Sequence, residues 1–69
     1  MTRSVEILQV LLARDEPMSA PEIAAVTGIE VESVSALCRW MRRKQRTLEY
    51  AGFGLSELGR PVRLWKVTE

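Results

Sequence analysis

Residues 23–37 constrain the fold more than any other stretch, because their types are spaced as two helices crossing through a tight turn require. With Gly28 at the turn, Ala24 lies four positions before it, while Ile29, Val34 and Leu37 lie one, six and nine positions after it. Helices that cross steeply need a small side chain at closest approach, which Ala24 supplies. The turn needs a positive φ, which glycine adopts without steric penalty. Ile23, Ile29, Val34 and Leu37 then fill the wedge between the two helices.

Both helix starts are legible. Ser19, Ala20, Pro21 and Glu22 spell a capping box with proline in the first turn, and Met18 and Ile23 fit the hydrophobic staple around it. This predicts a helix over 20–27. The next helix is expected to begin near Val31 and run to about Gln45. Ile29 and Val34 form its staple, and Val34, Leu37, Cys38 and Met41 are its inward positions. An opening helix over about 4–14, capped by Thr2 or Ser4, carries Val5, Leu8, Leu11 and Leu12 as the floor of the core. Asp15, Glu16 and Pro17 end it.

Beyond Gln45 the period changes from helical to alternating. Strands are expected over 47–51 and 62–68, joined by a long glycine-rich tip in which Gly52, Gly54 and Gly59 bracket Phe53 and Leu55 to Leu58. Pro61 fixes the start of the returning strand.

At 69 residues the chain is expected to form one small domain over 1–69, with no room for a small-molecule sensing unit. One cysteine and no histidine argue against an intrachain disulfide, a zinc cluster and histidine-based triads. Cys38 falls on the apolar face with Val34 and Met41 and reads as a buried thiol. The glycines at 52, 54 and 59 belong to a hairpin and not to a strand-to-helix phosphate loop, so no enzyme, metal or cofactor is expected. No apolar run reaches the length of a membrane span and no signal peptide is recognisable, so a cytoplasmic protein is expected.

Charge is distributed unevenly. Residues 1–38 hold two arginines against six acids, whereas residues 39–69 hold eight basic residues against three acids. Five of those basic residues, Arg39, Arg42, Arg43, Lys44 and Arg46, follow one another without an acid between them, the pattern of a polyanion-binding surface.

Helix, capped helix, glycine turn, longer helix and hairpin, in that order, resemble the winged helix-turn-helix family of DNA-binding domains over nearly the whole chain. The stretches SAPEIAAVTGIEVESVSALCRWM and GRPVRLWKVT carry most of the likeness. The resemblance implies an α+β domain of three helices followed by a two-stranded β-hairpin wing. It also implies a bacterial or phage transcriptional regulator that binds double-stranded DNA, with the third helix in the major groove and the wing on flanking backbone or minor groove. Glu30, Val31, Glu32, Ser35, Ala36 and Arg39 are the positions of that helix pointing away from the core. Arg39, Ser35 and Glu32 have the chemistry to read base edges, and Arg42, Arg43, Lys44 and Arg46 that of phosphate contacts. On the wing, Arg60, Arg63 and Lys66 are the corresponding cations. Trp40 is expected to cover the hairpin's inner face with Tyr50 or Trp65.

Two features point elsewhere. Glu30 and Glu32 open the helix that should approach a polyanion, although a helix N-terminus favours acids and glutamate can accept from cytosine N4. Phe53, Leu55 and Leu58 place apolar groups at the hairpin tip, where they mark a protein partner or a homodimer, or else fold back on the domain. The alternative reading is therefore a protein-interaction module, an inhibitor or adaptor, on the same scaffold without nucleic-acid binding. A module this small buries too little surface to bind DNA tightly alone, so a DNA reader of this size is expected to act as a dimer or as adjacent copies.

Overall fold

Local caps set the helix boundaries in the structure, a computed structural model that describes residues 2–68. Helix α1, Arg3–Arg14, starts where the Thr2 hydroxyl accepts from the Val5 amide at 3.4 Å. It stops at Asp15, whose left-handed backbone (φ 51°) lets its N–H donate to the Leu11 carbonyl. Helix α2, Ala20–Thr27, is opened by the reciprocal pair of Ser19 and Glu22, each side chain accepting from the other's amide at 3.3–3.4 Å. Gly28 closes it at φ 78°, donating to Ala24 at 2.9 Å. The Thr27 hydroxyl donates to the Ile23 carbonyl at 2.8 Å and accepts from the Ile29 amide at 3.2 Å, which fixes the path out of the turn.

Helix α3, Val31–Trp40, lacks a side-chain cap and continues into a π-helical turn, Met41–Gln45. The turn ends at Arg46 (φ 56°), and the Met41 carbonyl accepts from both the Arg46 and the Thr47 amides. Its wider ring carries Arg42, Arg43 and Lys44 at the helix C-terminus, where the helix dipole favours cations.

Three antiparallel strands complete the domain: β1 (Met18–Ser19), β2 (Leu48–Leu55) and β3 (Pro61–Val67), in the order β1-β3-β2. The two-stranded wing expected from sequence is thus part of a three-stranded sheet. Met18 and Ser19 pair with Trp65 and Leu64 and tie the start of α2 to the hairpin. The long tip is also corrected. Strand β2 runs through the glycines to Leu55, with a bulge between Tyr50 and Phe53 at Gly52 (φ 88°) that lets the ladder resume at Phe53 opposite Arg63. Only residues 56–60 form the connecting loop.

The core gathers Ile7 and Leu11 from α1, Ile23 and Ala24 from α2, Val34 and Cys38 from α3, and Met18, Met41, Leu48 and Trp65. Two expectations fail here. Helix α1 turns Ile7 and Leu11 inward and leaves Val5 and Leu12 exposed, because apolar residues lie all round this helix and several stripes fit its spacing. Trp40, expected to cover the hairpin's inner face, is instead 46% exposed and outside the core cluster, in which Trp65 is the buried tryptophan.

Burial pushes the Cys38 thiol from its ordinary 9.0 up to about 12. The folded state therefore prefers the neutral thiol and the unfolded state ionises first. Cys38 contributes stability that is present below about pH 9 and lost as pH rises towards 12. Two results are expected: a thiol-specific reagent reacts with Cys38 only as fast as the domain opens, and denaturant midpoints fall above pH 9. Rapid labelling of the native protein would show that the site is not sealed.

Candidate nucleic-acid interface

The outer side of α3 and the β2–β3 hairpin enclose an open groove. Val31, Ser35 and Arg39, spaced four residues apart, line its helix wall. Tyr50, Val62 and Arg63 line the hairpin wall, with Ala20, Pro21 and Trp65 completing the lining. No carboxylate is among these residues, so the groove is cationic and flanked by apolar surface.

Tyr50 is the centre of the hairpin wall. Its ring centroid lies 4.2 Å from the Arg42 guanidinium carbon and 4.1 Å from that of Arg63, and Arg63 also lies 5.5 Å from the Phe53 ring. Trp65, buried opposite Met18, packs against Tyr50 with ring centroids 4.7 Å apart at a 45° tilt. A side chain rooted in the core thus backs the ring that holds two cations, one from the end of the helix and one from the hairpin.

The chain as a whole superposes on a possible transcriptional regulator from Methanosarcina mazei with a TM-score of 0.76 over 100% of this chain, at 13% sequence identity. The fold is winged-helix-like. This chain spans 57% of the length of that neighbour, and at such low identity the likeness concerns the fold alone. No family model and no curated protein matches the chain.

In this fold α3 is the third helix and the β2–β3 hairpin is the wing expected from sequence. The residues singled out from sequence fall into separate places. Arg39 and the half-buried Ser35 lie in the groove, joined there by Arg63 of the wing, with Arg42 stacked beside it on Tyr50. Glu32 is exposed on α3 outside the groove lining. Arg43, Lys44 and Arg46 are exposed along and just past the π turn. Arg60 is exposed at the loop end, and its backbone is tied to Ser56 by two hydrogen bonds of 2.8 and 3.1 Å.

Lys66 is drawn away from this set. It pairs across the strands with Glu49 at 3.1 Å and lines a different hollow, shared with Leu11 and Asp15. Phe53, Leu55 and Leu58 are 67%, 77% and 83% exposed. Leu55 and Leu58 border a second groove against α2, edged by Glu22 and Glu57.

Sequence reasoning missed Tyr50 as a binding-site element. The signal lay in the register: with Tyr50 opposite Trp65, a residue two positions from Trp65 on the same face is its diagonal neighbour, and that residue is Arg63. Among the described residues no helix is long and apolar enough to cross a membrane, and no cluster of metal-ligating side chains occurs.

Proposed function

We propose that this protein binds double-stranded DNA as a transcriptional regulator, with α3 in the major groove and the wing on the flanking backbone. The observation that carries the reading is the carboxylate-free groove in which Ser35 and Arg39 of α3 face Arg63 of the wing. In this reading Arg39 and Ser35 contact base edges, with Glu32 at the helix start available to a cytosine amino group. Arg42, Arg43, Lys44 and Arg46 contact phosphates where the helix leaves the groove, and Arg60 and Arg63 contact phosphates beside it. Lys66, balanced by Glu49, contributes little. Binding uses two or more copies, since one module buries too little surface for tight specific recognition. The transcriptional role draws on the likeness to the possible transcriptional regulator from Methanosarcina mazei.

The test is fluorescence anisotropy of a labelled random-sequence duplex at two salt concentrations. Micromolar affinity that falls steeply with salt is expected, each neutralised phosphate contributing about 0.9 to the slope of log K against log salt. Arg43→Ala, which alters an exposed cation on the π turn, is expected to weaken all duplexes alike and to lower that slope by about one. Absence of binding by the folded protein at either salt sinks this reading.

The exposure of Phe53, Leu55 and Leu58 favours a second reading, in which the wing face holds a protein partner. Under it Phe53→Ala and Leu55→Ala abolish complex formation, while arginine substitutions on α3 leave it intact.

A further inference from the structure

Arg42 and Arg63 come from different elements, one from the last helical turn and one from the wing, yet both guanidinium groups rest on the same ring. Their like charges repel, so without an intervening group the two side chains would separate into solvent and sample many rotamers. An aromatic ring attracts a cation to its face, and here one ring does so for both. The ring is itself restrained, because Tyr50 packs on Trp65 at 4.7 Å and Trp65 is 5% exposed and paired with Met18 in the sheet. A chain of contact therefore runs from the core to two cations, neither of which forms an ion pair with a described residue.

We infer that Tyr50 is a positioning residue that fixes Arg42 and Arg63 relative to each other, so that the helix end and the wing engage phosphodiester groups as one preformed clamp. This inference rests on the DNA-binding reading. Tyr50 does its work through the two arginines, by removing in advance the rotamer freedom that each would otherwise lose on meeting a phosphate. The ring is what matters and the hydroxyl is not, because the stacking faces are the same in phenylalanine.

The experiment is a mutant cycle read by anisotropy on a labelled duplex, with melting curves of each free protein as a folding control. Tyr50→Leu is expected to weaken binding about tenfold, and Tyr50→Phe to bind as the wild type does. In a background carrying Arg42→Ala and Arg63→Ala, Tyr50→Leu is expected to change nothing further, because the residues it serves are gone. A tenfold loss that persists in that background would mark a general structural role and overturn the inference. So would wild-type affinity in Tyr50→Leu. If the wild type itself binds no duplex, the DNA reading fails and this inference with it, whereas wild-type binding that is indifferent to Tyr50 removes the inference alone.

Should Tyr50→Leu not fold, the unsubstituted protein decides. The Nε–H resonances of Arg42 and Arg63 are expected to be shifted upfield by the ring in the DNA complex, and ordinary positions for both would overturn the inference.

Discussion

Ile23→Ala is expected to unfold a large share of the molecules at 25 °C. Ile23 is fully buried on the inner face of α2, one turn before the Gly28 turn and within the cluster that joins α1, α2 and α3. Truncating such a side chain removes its transfer free energy and leaves a cavity, together about 2–5 kcal/mol. A domain of 69 residues has a total stability of only about 3–10 kcal/mol, since small domains bury a modest share of their surface. The loss is therefore comparable to the whole. Urea denaturation followed by circular dichroism checks it: the midpoint falls sharply and the slope stays the same. Val26→Ala, at a position 46% exposed on the same helix, serves as the control and is expected to stay within about 0.5 kcal/mol of wild type. Equal midpoints for the two variants would mean that the inner face of α2 does not close the core.

The α2–α3 pair was legible because everything that specifies it is local. The capping box, the small residue Ala24, the left-handed Gly28 and the apolar positions after it act within a few residues of one another. Strand β1 was not, because two residues cannot display a period of two, and Met18 and Ser19 already had roles as staple and cap. Their pairing to Leu64 and Trp65 is decided by where the hairpin lies, which is a tertiary matter. The wing was misjudged for a different reason. Glycines signal a break in a strand, but at Gly52 the positive φ accommodates a bulge and the ladder continues to Leu55.

The candidate site was legible only in part. Helical spacing alone put Ser35 and Arg39 on one outward row of α3, and both do line the groove. Which wing cation would face them required the strand register and the handedness of the sheet. Arg63 reaches the groove because its face of β3 is the face of Trp65, while Lys66 is one residue further along and turns to Glu49. The stack of Arg42 and Arg63 on Tyr50 joins residues up to 21 positions apart in sequence, from the π turn, β2 and β3, three elements that meet only in the folded chain. No pattern along the chain encodes such a meeting, whereas a charge run such as that from Arg39 to Arg46 is visible at once.

Arg39→Ala is expected to abolish discrimination at one base pair of the preferred site while leaving general DNA affinity largely in place. Arg39 differs from its cationic neighbours in a way that bears on this. Arg42 and Arg63 are stacked on Tyr50 and Lys66 is paired with Glu49, whereas Arg39 lines the groove exposed, with no ion pair to a described residue. Its forked guanidinium is thus available for two parallel hydrogen bonds to a guanine edge, worth about 1–3 kcal/mol of preference over another base. Losing them lowers the ratio of preferred to altered site by about 5- to 150-fold, whereas the loss of one positive charge weakens all duplexes by a common factor. Arg39→Lys separates the two effects, because it keeps the charge but offers a point donor in place of the fork, and it is expected to bind random duplex normally while losing the preference. Competition anisotropy with the selected site and its single-base variants checks this. If Arg39→Ala weakens every duplex by the same factor, Arg39 is a phosphate contact and base reading must come from elsewhere on α3.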